Sequence, residues 1–313
     1  MRFSGTIAAA MLAISALFCN TGCVKSILLK GQIQGTRQAS SAADTLHDYE
    51  VARHAAFAGL VQFEGMHKLA PANEDALFLL VKGWAGASYG FIEDDLEIAE
   101  DMGDRPMADY HKQRALAGYE RAIQYGIELL SKRADGFTEA RKNADTLRKW
   151  LRENFVDKED AGPLLWLGYA WVARTNVAKD DPEMVAELWV GVTLVQRSVE
   201  LDETYAFGNG MTILASYHAR TAQAELDQSK MLFDKVFALT NNRALLAKFN
   251  YASRYLCAKA DYEGYKKTLQ EILDAGDIFP EQRLQNAIAK RRARRYLGPA
   301  RMAEIREDCG FPG

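Results

Sequence analysis

Three groups of side chains sit at spacings that chemistry can use. His47, Glu50 and His54 stand at i, i+3 and i+7, a spacing that puts them on one face of a helix. Two imidazoles and a carboxylate can hold a metal there, and a solvated helix face is the alternative. Glu93-Asp94-Asp95-x-Glu97-x2-Glu100-Asp101-x2-Asp104 places seven carboxylates within twelve positions. Such a run binds a cation or a basic partner, or is a solvated insertion between the first two helices. It lacks the alternating ligands and in-register Gly of a calcium loop. Lys290-Arg291-Arg292-Ala293-Arg294-Arg295 is its opposite. Arg291, Arg292, Arg294 and Arg295 form a candidate basic contact for a second subunit, an anionic ligand or anionic lipid, since guanidinium meets carboxylate bidentately. A solvated cap surface is the competing account.

No nucleophile with an activating base stands out. H-E-x-x-H, the P-loop and the dinucleotide fingerprint are missing. We therefore expect no enzyme, no catalytic residue, no resident metal and no cofactor. Aromatic residues are the better guide to binding. Indole and phenol rings make apolar walls with polar handles, and Trp84, Tyr89, Trp166, Tyr169 and Tyr217 form the candidate ligand groove. Core packing is the alternative for each.

These residues need elements to position them. From about residue 46 no stretch shows the alternation of a strand. Apolar residues recur instead at three and four, as in Tyr262, Tyr265, Leu269, Ile272 and Leu273. The fold class is all-α. Helices are expected near 45–69, 74–91, 107–133, 136–155, 162–178, 183–200, 205–220, 225–239, 243–258, 261–275 and 281–297. Asn73, Asp181 and Asp261 are expected N-caps, and Gly276 and Gly298 expected C-caps.

The helices come in pairs. Leu164-x2-Leu167-Gly168-x2-Trp171 follows the first-helix template of a tetratricopeptide repeat, and Ser229, Phe233 and Val236 follow its second. Small residues such as Gly168, Gly191 and Ser229 would let helices approach closely. The expected architecture is tetratricopeptide-like hairpins stacked as a short solenoid with extra helices, one domain over 46–313.

Ahead of it, Arg2 and the apolar run Ile7–Cys19 read as an export signal. The run is shorter than the ~20 residues a spanning helix needs. Gly22-Cys23 resembles the end of a lipobox, making 1–22 a lipoprotein signal peptide and Cys23 the lipid attachment site, although Asn20 departs from the usual aliphatic residue. Ordinary signal peptidase cleavage is the alternative. By analogy with lipoprotein sorting, Val24 after the Cys leans toward the periplasmic face of the outer membrane rather than the inner membrane. Residues 23–45 read as a tether or a loosely docked arm. Cys257 and Cys309 are a disulfide pair or buried free thiols. Hydrophobic residues make 48% of the 313 and charged residues 26%, an ordinary globular balance that excludes a disordered chain. A net charge of −3 gives no attraction for nucleic acid.

The combination resembles the T-component family of TRAP (tripartite ATP-independent periplasmic) transporter-associated lipoproteins. It is carried by the leader, by Ala76-Leu77-Phe78-Leu79-Leu80-x3-Trp84-x4-Tyr89-Gly90-Phe91, by Leu164–Trp171 and by the ending Phe279-Pro280-Glu281-Gln282-x-Leu284-x-Asn286 through Tyr296-Leu297. The resemblance implies a periplasmic, lipid-anchored accessory protein with tetratricopeptide-like pairs. It implies a homotrimer that docks a TRAP-type periplasmic solute-binding protein and helps pass a small organic ligand. A tetratricopeptide-like lipoprotein scaffold for outer-membrane protein assembly is the alternative function.

Overall fold

The computed structural model describes residues 25–220 and 225–311. The expected leader, 1–22, and the expected lipid attachment site, Cys23, lie outside the described residues. No strand occurs among those described, and the chain is a succession of helices. Helix α1 spans 25–39, and a 3-10 turn follows at Ser40–Thr45. Then come α2 (Tyr49–Leu69), α3 (Glu74–Ala87), α4 (Glu93–Asp101), α5 (Arg105–Arg133), α6 (Phe137–Ala140), α7 (Ala144–Asn154) and α8 (Ala161–Val177). The second half holds α9 (Pro182–Ala186), α10 (Leu188–Leu201), α11 (Asn209–Arg220), α12 (Leu226–Thr240), α13 (Leu245–Asn250), α14 (Tyr262–Asp274), α15 (Arg283–Tyr296) and α16 (Pro299–Asp308).

Side-chain caps set several starts. Asn73 Oδ1 accepts from the Ala76 amide at 3.0 Å, Asp181 Oδ1 from Glu183 at 2.9 Å, and Asp261 Oδ1 from Gly264 at 2.9 Å. Each satisfies an amide that the first helical turn leaves open. Asp48 does the same for Glu50 and Val51. That cap corrects one expectation: α2 begins after His47, so His47 does not share a helical face with Glu50 and His54. The C-cap expectation is also corrected. Neither Gly276 nor Gly298 is left-handed; Asn241, at φ 49°, takes that role after α12, and Gly298 opens α16 instead.

Three segments are more ordered than their polarity suggested. The expected tether contains α1, which docks by burying Ile33 completely against Met66, Ala76 and Leu79. The acidic run is helix α4 rather than a loop. A final helix, α16, follows α15.

Packing brings these pieces together. Helix α8 lies between α5 and α10, α3 packs on α5, and α11 pairs with α12. Leu164, Leu167, Trp171, Phe233 and Val236 are all core. Gly168 and Gly191 mark the crossing of α8 and α10, where a Cβ on either would stand within 3 Å of the other's carbonyl oxygen. Ser229 Oγ donates to the Ala215 carbonyl at 2.8 Å across the α11–α12 pair. Helix α15 reaches back to α2 and the 3-10 turn, where Gln285 Nε2 donates to Asp44 Oδ1 at 2.6 Å. The two ends of the string thus meet. Cys257 and Cys309 form a disulfide that ties α16 to the end of the α13 segment.

Candidate functional site

A cavity of about 800 Å³ lies between the early helices α2, α3 and α8 and the later helices α11, α13 and α15. Tyr89, Trp166, Tyr169 and Tyr217 line it. The first three form a chain of edge-on contacts, Tyr89 to Tyr169 with centroids 5.8 Å apart and Tyr169 to Trp166 at 5.9 Å. Trp84, the fifth candidate, does not line the cavity. Its Nε1 donates to Glu64 Oε1 at 2.9 Å, beside donors from Arg121 and Tyr125. Burial pushes the Glu64 carboxyl up, but these three donors overcome it and bring it down to about 2. Trp84 therefore holds a structural hub.

Two π-helical turns interrupt regular helices at the cavity wall. One is Ser88–Ile92, which carries Tyr89, and the other is Tyr251–Leu256, which carries Arg254. Such turns break the regular backbone ladder. In the first, the Tyr89 and Gly90 carbonyls take side-chain donors, Arg292 at 2.8 Å and Tyr49 at 2.9 Å.

The acidic and basic runs meet each other. Arg291 Nε and Arg295 donate to Asp94 at 2.5 and 2.7 Å, and Arg295 also pairs with Glu97. Arg292 lies between Glu93 and Glu97, at 3.7 and 3.6 Å. Arg301 reaches Asp101 at 2.7 Å. Arg291, Arg292 and Arg295 are thus engaged by the chain's own carboxylates, and Arg294 alone of the candidate four is exposed. Asp94 is 1% exposed and Arg292 3%, so this is an internal clasp between α4 and α15. The centre of each run is thus withdrawn from water by the other, while Glu100, Asp104 and Arg294 stay exposed.

Glu93 sits where the clasp touches the cavity. Burial pushes its carboxyl up to about 7, while Arg292 and a hydrogen bond from Tyr119 oppose the rise. Burial also raises the Tyr89, Tyr119 and Tyr169 phenols, so all three stay protonated and can donate.

The sequence contains one G-x-S-x-G spacing, Gly86-Ala87-Ser88-Tyr89-Gly90. A nucleophile elbow needs a strand-to-helix turn that exposes the serine. Ser88 instead lies within helical backbone, is 0% exposed, and its Oγ has no hydrogen-bond partner among the described residues. His54 Nδ1 is engaged by the Glu50 carbonyl at 2.7 Å, and no group of three His, Cys, Asp or Glu among the described residues is placed to hold a metal.

Sequence reading missed Arg220 and Arg254, which also line the cavity. Their signal is a lone cation inside an apolar helical run, Ile213-Leu214-Ala215 before Arg220 and Tyr251-Ala252 before Arg254. Arg254 lowers Arg220 to about 10, with burial adding to the effect. Arg220 is exposed, and it is one of the residues that line the cavity.

No helix among the described residues is long and apolar enough to cross a membrane. No curated protein matches the chain. The family model of the TRAP transporter T-component matches residues 45–302. That span runs from just before α2 into α16 and takes in the clasp, the α8–α10 crossing and the cavity except its edge at 39–44, and the chain belongs to the TRAP transporter T-component family.

Proposed function

We propose that this T-component is a lipid-anchored accessory protein of its transport system, one that docks a TRAP-type solute-binding protein and holds a small organic ligand in its cavity. In this reading residues 1–22 are removed as a signal peptide and Cys23 carries acyl chains at the periplasmic face of the outer membrane. Two acyl chains give stable anchoring without a spanning helix. Residues 46–313 form one domain of tetratricopeptide-like pairs, and three copies assemble as a homotrimer.

The observation that carries the reading is the aromatic cavity. At about 800 Å³ it falls in the size range of small-molecule sites. Its walls combine apolar rings with a few polar groups, which suits reversible holding of a solute.

The test is affinity capture of the full chain from its native membranes after mild crosslinking. Recovery of a TRAP-type solute-binding protein supports the reading. Recovery of outer-membrane assembly factors alone overturns it. Palmitate labelling of the wild type and of Cys23→Ser tests the anchor, and equal labelling of the two excludes Cys23.

A further inference from the structure

The cavity wall carries an imbalance of charge. Its acids are Asp44, Glu93 and Glu97. Asp44 is paired with Lys82 at 3.3 Å, and Glu93 and Glu97 face Arg292 within 4 Å. Its remaining cations are Lys179, Arg220 and Arg254. Arg254 has no ion pair or hydrogen bond among the described residues, and Arg220 has only Asn176 Oδ1, at 3.2 Å. Residues 1–24, 221–224 and 312–313 contain no Asp or Glu.

Arg254 opposes the charge on Arg220, and with Arg220 exposed and Arg254 half-buried at the cavity wall, two like charges stand there without an ion-pair partner among the described residues. Arg254 lies on a π turn and Arg220 on the last residue of α11, so both are presented by helical backbone rather than by a free loop. Other groups do act on them. Asp308 and Tyr296 favour the charge on Arg220, more weakly than Arg254 opposes it. Arg254 also acts on Glu93, but that carboxyl is already held by Tyr119 and Arg292. The favourable interaction still missing is with an anion supplied from outside.

Given the cavity-binding reading above, we propose that Arg220 and Arg254 form an anion anchor at one end of the cavity, and that the occupant is an amphipathic organic anion. Its charged head lies between the two guanidiniums, and its apolar body lies along Trp166, Tyr169 and Tyr217. Guanidinium groups match carboxylate oxygens in a bidentate fork. The aromatic wall rewards apolar area, so a head group alone would leave most of the volume unfilled. Lys179, exposed at the same wall, adds long-range attraction for the anion without contact.

The test uses the purified full chain, with tryptophan fluorescence and calorimetry as readouts. The probes are octanoate, 1-octanol of the same tail, and succinate as a polar dianion. Octanoate is expected to bind at least about tenfold tighter than octanol, as charge-assisted hydrogen bonds allow. Arg254→Gln and Arg220→Gln should each remove that advantage while leaving octanol binding unchanged, which also shows the cavity intact. Equal affinities for octanoate and octanol, or octanoate binding unaffected by both substitutions, overturn the anchor and leave the cavity reading standing. Succinate binding tighter than octanoate overturns the amphipathic class. Failure of all three probes overturns the anchor together with the cavity reading.

Discussion

Asp94 and Arg295 lie 201 residues apart in sequence and 2.7 Å apart in space. Their contact joins α4 to α15 beside the cavity, whose wall carries the neighbouring Glu93 and Arg292. Asp94 is almost fully buried and also holds Arg291. Removing one partner of a buried pair strands the other charge, at a cost of roughly 3–5 kcal/mol. Arg295→Met should therefore lower the urea midpoint sharply. Arg294→Ala, at an exposed position on the same helix, should change stability by no more than about 0.5 kcal/mol. Equal effects of the two substitutions would refute the clasp.

The clasp also fixes an acid limit. Burial alone would raise the Asp94 and Glu97 carboxyls, but Arg295, Arg291 and Arg292 more than offset it, and both lie below their usual values of 3.8 and 4.5. A carboxyl depressed in the folded state contributes stability above its unfolded pKa and loses it as pH falls through the folded one. Glu93 runs the other way. Its carboxyl titrates at about 7 when folded against 4.5 ordinarily, so folding takes up a proton between these values and stability falls as pH rises through that window. Glu93→Gln, which keeps an acceptor for Tyr119, should remove this slope, worth on the order of 3 kcal/mol. Unfolding midpoints of both proteins at pH 5 and pH 8 check it. An identical pH dependence in the two would sink the assignment.

Local signals were readable and long-range partners were not. The caps at Asn73, Asp181 and Asp261, the core places of Leu164, Leu167 and Trp171, and the close approach at Gly168 depend on neighbours within a turn or on side-chain size. Those quantities are written in sequence. A run such as Glu93–Asp104 reads the same whether water or arginine neutralises it, and its partner in α15 lies some two hundred positions away. The exclusion of Trp84 from the cavity had the same origin, since its indole faces Glu64 rather than Tyr89. Gly298 misled because glycine before proline suits the start of a helix as well as its end. Arg220 and Arg254 were hidden by belonging to two different helical segments, brought together only by packing.

The α8–α10 crossing is a place where volume cannot be added. A Cβ at Gly168 would stand 2.8 Å from the Gly191 carbonyl oxygen and 2.8 Å from Val195 Cγ2. Backbone cannot swing aside as a side chain can, so the helices must separate. Gly168→Ala should cost roughly 1–3 kcal/mol despite Ala's better helix propensity. Gly65→Ala, in α2 with open space around it, should be neutral or slightly stabilising. Thermal midpoints of the two variants decide the matter, and a Gly168→Ala protein as stable as wild type would disprove the contact.

The Cys257–Cys309 disulfide encloses 52 residues of separation, and loop-closure entropy of that length corresponds to about 4 kcal/mol as an upper figure. What it restrains is local. Helix α16 has further hold through Phe311, whose ring lies 5.3 Å from Tyr262 and 5.2 Å from Tyr265, and through Arg306, which donates to the Tyr262 hydroxyl at 2.8 Å. These contacts belong to α14, so a reduced protein keeps the core of α8 and α10 intact. Reduction, or Cys309→Ser, should speed amide exchange in α16 first and lower the global midpoint less than the loop figure suggests. Exchange that quickens equally in α8 and α16 would show that the bond supports the whole fold rather than its end.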